Sequence, residues 1–135
     1  MKLVIDANSV IAALLKDSKA RAIIVGGAIE LISPDHIKGE IDKHLDYITE
    51  KAEISREDLE VLISLLFRNI EIVPYPEYKQ EISEAERIMK ADPEDVPYVA
   101  CYIALRCDGI WTNDTHYLNK PRVKVFKTKD IIPLL

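Results

Sequence analysis

In 135 residues the chain has two cysteines, one tryptophan, one glutamine and four glycines, and its apolar runs are only a few residues long. Runs that short exclude a membrane-spanning helix. The N-terminus also lacks the basic, apolar and small-residue order of a signal peptide, so a soluble, cytoplasmic protein is expected. Cys101 and Cys107 lie six residues apart in what reads as one helix. They face different directions there and read as buried, reduced thiols rather than a disulfide. The sequence has no Gly-rich phosphate loop and no nucleophilic Ser or Cys motif, so P-loop and covalent Ser or Cys chemistry have nothing to carry them. Repeats, low-complexity tracts and linkers are missing too, and with 48% of positions hydrophobic residues 1–135 suit a single domain with one core. One glutamine beside 30% charged residues and plentiful isoleucine fits a thermophilic source. An excess of basic charge is also absent. The net charge is −5, an awkward sign for a protein that holds nucleic acid, unless some of the acids bind cations.

The residues that are present alternate between strand and helix patterns. Lys2 to Ile5 reads as a strand that stops at Asp6, after which Asn8 or Ser9 can cap a helix through Val10, Ile11, Leu14 and Leu15. Ser18 caps a second helix that Gly26 and Gly27 end, and a short strand runs from Ala28 to Ile32. Ser33 and Pro34 open a helix with one stripe, Ile37, Ile41, Leu45 and Ile48. Ser55 starts the next, with Leu59, Leu62, Ile63 and Leu66 as its core face, before a strand from Ile70 to Val73. Pro74 and Pro76 mark a loop, and a helix is expected from about Tyr78 to Lys90. In ADPEDVPYVACYIALRCDG, Asp92 is the expected N-cap, Pro93 the first helical residue and Gly109 the stop. Strands from Ile110 to Thr112 and from Val123 to Phe126 follow, then a short helix from Thr128 to Leu135. This order predicts an α/β fold around a mainly parallel sheet covered on both faces.

Asp6 and Asp114 both leave the carboxyl ends of apolar strands, which is where open α/β sheets bind ligands. Asp95 lies in the first turn of its helix, and Glu40 lies about 60° off the Ile37 and Ile41 stripe. Each has a plainer reading: Asp6 and Asp114 as turn or cap residues, Asp95 as a helix-dipole acid, Glu40 as a solvated flank residue. If the first and fourth strands are neighbours, however, the four carboxylates meet within ~10 Å, the reach of a site holding one or two hard divalent ions with their waters.

Four segments in this order, VIDANSVI, PDHIKGEI, DPEDVPYVACYIAL and IWTND, resemble the PIN domain. This is a metal-dependent nuclease family related to flap endonucleases and common among archaeal and bacterial toxin-antitoxin pairs. The resemblance covers nearly the whole chain. It implies an α/β/α sandwich with about five strands, and Asp6, Glu40, Asp95 and Asp114 as catalytic metal ligands, with Asn8 and Thr112 as polar companions. It further implies Mg²⁺ or Mn²⁺ as cofactor, hydrolysis of RNA, an antitoxin partner if the chain is a toxin, and a homodimer, for which the Leu59, Leu62 and Leu66 helix is a candidate surface. Asp92 matches the family's helix-capping acid. His116 stands where many relatives have another Asp, which takes an oxygen ligand from the second metal position.

Other readings stay open at this point. His36, Glu40 and His44 recur every four residues and could hold a transition metal. Lys120, Arg122, Lys124, Lys127 and Lys129 could contact an RNA backbone or simply be solvated, and Trp111 and Tyr117 could stack on bases or belong to the core. A strand-end aspartate also suits an aspartate-based phosphotransfer protein, although Asn8 stands where the phosphatase pattern wants an acid. A PIN-like scaffold without activity is the third alternative.

Overall fold

The computed structural model describes residues 1–16 and 18–135. Strands β1 (Lys2–Ile5), β2 (Glu30–Pro34), β3 (Ile70–Val73), β4 (Gly109–Trp111) and β5 (Val125–Phe126) form one sheet in the order β3-β2-β1-β4-β5, and every neighbouring pair is parallel. Parallel neighbours need long crossovers, and the helices supply them. Helices α1 (Ala7–Leu15), α2 (Lys19–Gly26), α3 (His36–Asp42), α4 (Leu45–Ala52) and α5 (Arg56–Phe67) pack among themselves. Helices α6 (Ile82–Ile88) and α7 (Val96–Ala104) pack on each other, and α7 lies against β1, β2 and β4. Leu3, Val4 and Ile5 are all buried. Successive strand residues point to opposite faces, so both faces of the central strand are covered. A short α8 (Thr128–Ile131) follows β5.

Where the local chemistry differs from expectation, the boundaries move. Asp6, not Asn8 or Ser9, caps α1, its carboxylate accepting the Ser9 N–H at 2.9 Å. Ser18 and Ser55 cap α2 and α5 as their patterns require, and Gly27 ends α2 at φ 68°. Ser33 and Pro34 belong to β2, with the Ser33 hydroxyl donating to the Ile5 carbonyl at 2.9 Å. The single stripe from Ile37 to Ile48 is split between α3 and α4 at Lys43 and His44. There the His44 ring takes the Glu40 carbonyl at 2.8 Å, the acceptor its own N–H would use in a continuous helix, and that N–H turns to Ile41 instead. The helix expected from Tyr78 is replaced up to Glu81 by two 3₁₀ turns, Tyr75–Glu77 and Lys79–Glu81. Asp35 organises this corner, accepting the Tyr78 hydroxyl at 2.6 Å and the Tyr75 N–H at 3.0 Å.

Gly109 does not stop α7. That helix ends at Ala104, with Arg106 in the left-handed region at φ 51°, Arg106 N–H donating to Ile103 and Cys107 N–H to Tyr102. This is the Schellman pattern, with arginine in the place glycine usually takes. Cys107 therefore lies beyond the helix that holds Cys101, and both are free thiols. Gly109 begins β4, where a Cβ would lie 2.5 Å from the Phe126 ring and 3.0 Å from the Lys124 carbonyl oxygen. Gly109→Ala should accordingly cost about 1–3 kcal/mol as an overpacking change. Thermal melts should show that loss, and Phe126→Leu in the same chain should recover part of it. Full stability of Gly109→Ala alone would contradict the close β4–β5 approach.

Candidate metal centre

The order β3-β2-β1-β4-β5 has its switch point between β1 and β4, from which the chain builds the sheet outward in opposite directions. Open α/β sheets bind ligands at the carboxyl ends of such strands. Ile5 is in register with Trp111, so Asp6 and Thr112 leave the sheet side by side, with the Asp6 N–H donating to the Trp111 carbonyl at 3.3 Å. Thr112 is fully buried, and its hydroxyl accepts the Asp114 N–H at 3.0 Å, folding the chain so that Asp114 turns back toward Asp6. The Asp114 carboxylate also accepts the Asn8 side-chain amide at 3.2 Å. Asp95 arrives from the other crossover, in the 3₁₀ turn Pro93–Asp95 that leads into α7. Glu40, on α3, accepts a short hydrogen bond from the Tyr98 hydroxyl and lies 3.3 Å from His36 Nε2.

All four acids named from the sequence, together with Asn8 and His116, line one cleft of about 190 Å³. Larger hollows exist, one of about 310 Å³ between α3 and α5, but that one is lined largely by Ile41, Ile63 and Phe67 and gathers no comparable set of acids.

The structure also brings in two residues that sequence reasoning placed elsewhere or undervalued. Asp92 makes no side-chain capping bond. Its carboxylate lies 3.7 Å from His116 Nδ1, so the expected helix-capping role is corrected to membership of the acid cluster. His116 sits between the acids, with Nδ1 2.7 Å from Asp95 Oδ2 and Nε2 3.2 Å from Asp114 Oδ1. Both ring nitrogens thus face carboxylates, an arrangement that favours the protonated imidazole. Asp92, Asp95 and His116 present ligand atoms within 4.8 Å of one another. Their signal in the sequence was a pair of acids three residues apart in the first turn, with a histidine two residues after Asp114.

Electrostatically the cleft is short of positive charge. Burial pushes the Asp6 carboxyl above its ordinary value, against hydrogen bonds from Thr112 and Ser9, and the charge of Asp114 adds to the rise. Asp95 is pushed up to about 6, first by burial, with His116 opposing and Asp114 and Asp6 reinforcing. The hydrogen bond to Asp95 leads in raising the His116 imidazole. Tyr117 is 6% exposed, and its hydroxyl has no hydrogen-bond partner among the described residues. Burial and then the neighbouring acids push its phenol up.

Three weaker readings are settled by geometry. His36, Glu40 and His44 do not form a group with ligand atoms within 4.8 Å of one another among the described residues, although the His44 ring, held through Nδ1 on the Glu40 carbonyl, lines the cleft. Trp111 is fully buried and donates its indole N–H to Thr128, and Tyr117 is also buried, so neither offers a face for a base. Asp6 is 4% exposed and committed to capping α1, a poor station for a phosphoryl acceptor.

The donor set fits a divalent cation. Carboxylates from four separate chain segments line the cleft with the His116 imidazole among them, and hard oxygen ligands of this kind suit Mg²⁺ or Mn²⁺. Residues 4–130 match the PIN domain family, and the chain belongs to it. PIN domains are in general metal-dependent nucleases. In architecture the chain is similar to the crystal structure of VapBC2 from Rickettsia felis bound to a DNA fragment from their promoter, with a TM-score of 0.71 and 12% identity, covering 94% of this chain and 98% of that one. At that identity the likeness is one of fold. No curated protein matches the chain in sequence.

Two outcomes follow from the charge balance. Asp95 has a folded pKa of about 6, above the roughly 3.9 of an unfolded aspartate. Its stabilising contribution is thus present below about pH 4 and lost as pH rises through about 6. The raised His116 has the same sign, stabilising below about 6.5 and losing that contribution above. Without divalent ions, the melting temperature of Asp95→Asn minus that of wild type should therefore grow more positive from pH 4 to 7; a flat difference would contradict the shift. Asp92→Ala should change stability by no more than about 0.5 kcal/mol, yet lower the His116 pKa followed by NMR.

Proposed function

We propose that the chain is a Mg²⁺- or Mn²⁺-dependent endoribonuclease that hydrolyses phosphodiester bonds of RNA, and that Asp6, Glu40, Asp95 and Asp114 are its metal-binding and catalytic acids. One observation carries the reading: in a PIN family chain, four acids from separate segments line one cleft at the switch point of the sheet. When bound, a divalent ion there lowers the pKa of a coordinated water and neutralises charge on the phosphate.

The chain's own residues prepare for this. Ser9 and Thr112 fix Asp6, the Tyr98 hydroxyl fixes Glu40, and Asn8 orients Asp114. Because Asp6 and Asp95 are both pushed up and His116 is raised by its carboxylate neighbours, protons compete with a cation for these residues. Binding and activity should therefore strengthen as pH rises through about 6. Once deprotonated, the His116 imidazole would supply nitrogen where an acid would supply oxygen, which favours Mn²⁺ over Mg²⁺.

In biological terms the reading is a cytoplasmic toxin with an antitoxin partner, or a stand-alone RNA-processing nuclease. The VapBC fold neighbour supports the first. No helix among the described residues is long and apolar enough to cross a membrane. We also propose a homodimer through the helix first expected, by the face that carries Val61 and Leu65. Leu59 and Leu66 are buried in the chain's own core and Leu62 is half-buried, whereas Val61 and Leu65 on the same helix are exposed. Light scattering at micromolar concentration should give twice the chain mass, and Val61→Glu with Leu65→Glu should return it to one. The alternative is a catalytically weak PIN-like binding module, favoured by the neutralising His116.

The decisive comparison is RNA cleavage and thermal stability for wild type and Asp6→Asn, each with Mn²⁺ and with EDTA. Wild type should cleave single-stranded RNA only with Mn²⁺ and be stabilised by it. Asp6→Asn should fold, lose both effects and melt no lower than wild type in EDTA. Equal cleavage by the two proteins would place the active site elsewhere. No cleavage by wild type, with no Mn²⁺ stabilisation, would favour the binding module.

A further inference from the structure

The acid cleft repels the polyanion it is proposed to cut, so affinity for RNA must come from cations outside it. Residues 120–129 carry Lys120, Arg122, Lys124, Lys127 and Lys129 and no acid, in a chain of net charge −5. This segment includes β5, the edge strand next to β4. Its exit from the sheet is tied to the loop that holds Asp114. The Thr128 N–H donates to Asn113 Oδ1 at 3.1 Å, and the Thr128 hydroxyl accepts from Asn113 Nδ2 at 3.1 Å and from the buried Trp111 indole at 3.0 Å. Thr128 is thereby pinned to the residue just before Asp114, and Lys127 and Lys129, both exposed, flank it in sequence. Lys124 is exposed as well, its ammonium over the Phe126 ring at 5.3 Å.

The charges in this tract are not equivalent. Arg122 is engaged by Glu84, which Arg87 also holds. Lys120, Lys124, Lys127 and Lys129 are in none of the ion pairs found among the described residues, but Lys120 is half-buried whereas the other three are exposed. Three exposed lysines outside these ion pairs therefore flank β5: Lys124 at its start, and Lys127 and Lys129 on the backbone tied to the Asp114 loop, where Asp130 caps the Lys127 N–H.

We propose that Lys124, Lys127 and Lys129 form the track on which the backbone phosphates of single-stranded RNA rest while the scissile bond enters the acid cleft. The proposal rests on the ribonuclease reading. Lysine ammonium groups are mobile point charges, so the track supplies affinity and direction without reading bases. RNA held there approaches from the β5 edge and passes Asp114 before Asp6.

The test is fluorescence anisotropy with a labelled single-stranded RNA oligonucleotide between 50 and 200 mM salt, in an Asp6→Asn chain so that the RNA is not consumed. Each phosphate contact on a single strand contributes about 0.7 to the slope of log affinity against log salt. Lys124→Gln, Lys127→Gln and Lys129→Gln together should lower that slope by about 2, which makes the loss of affinity over this fourfold salt range about twentyfold smaller. Lys2→Gln, at the amino edge of β1, should change nothing. In the chain with Asp6 intact, the triple substitution should raise KM for RNA and leave kcat within twofold. An unchanged slope, while the chain with Asp6 intact cleaves RNA in Mn²⁺, would overturn the track and leave the ribonuclease reading standing. No binding and no cleavage would overturn both. Polyglutamate that displaces RNA at equal charge concentration with the same lysine dependence would assign the surface to an acidic protein and overturn the RNA track.

Discussion

Carboxylates do not gather in a protein unless something stronger holds them together, and here the holding element is the parallel pairing of β1 with β4. Three registered pairs, Leu3 with Gly109, Val4 with Ile110 and Ile5 with Trp111, lock the two strands in the buried centre of the sheet. Asp6 and Thr112 are the first residues past that ladder. Because the strands are buried on both faces, a slip in register would move a whole set of apolar side chains, so the sheet core sets the positions of the acids more firmly than any contact in the cleft. Gly109 lets β5 close against β4 on one side, and Ser33 ties β2 to the end of β1 on the other.

The cost of this arrangement appears in the titration of the acids. Asp6 and Asp95 are held above their ordinary range by burial and by their neighbours, which disfavours the charged cluster at neutral pH. His116 offsets part of that. It lies against Asp95 and Asp114 at once, in the space between the two acids. The cleft is thus a site where local stability has been given up for charge density, the usual mark of a functional position in an otherwise consistent fold.

Much of the fold was legible in the sequence because its signals are local. Ser18, Ser55 and the Gly27 stop are side-chain or backbone events within one turn, and β-branched runs such as Ile70 to Val73 mark strands. Asp6 and Asp114 were legible for the same reason, as polar residues just past apolar strands. Glu40 was a weaker signal, an acid at the edge of its helix stripe, which the family resemblance reinforced. The break at His44 could not be read, because an unbroken apolar stripe crosses it and the cause is a ring nitrogen competing for a carbonyl. Gly109 was misread because its requirement comes from Phe126, 17 residues away in sequence but adjacent in the sheet. Asp92 looked like a cap on position alone. Its direction is set by His116, which arrives from another segment.

Trp111 joins these parts. It is the chain's only tryptophan, it is fully buried in β4, and its indole N–H holds the threonine that ties the basic segment to the Asp114 loop. The chain therefore carries its own optical probe at the junction between cleft and sheet edge. Emission from a single indole reports one environment, without averaging over distant rings. Loosening of β5 and α8 from β4 would free that N–H and admit water, shifting the emission to longer wavelength while the rest of the sheet stayed intact. Events at this corner can thus be followed by light in the unlabelled protein and separated from global unfolding.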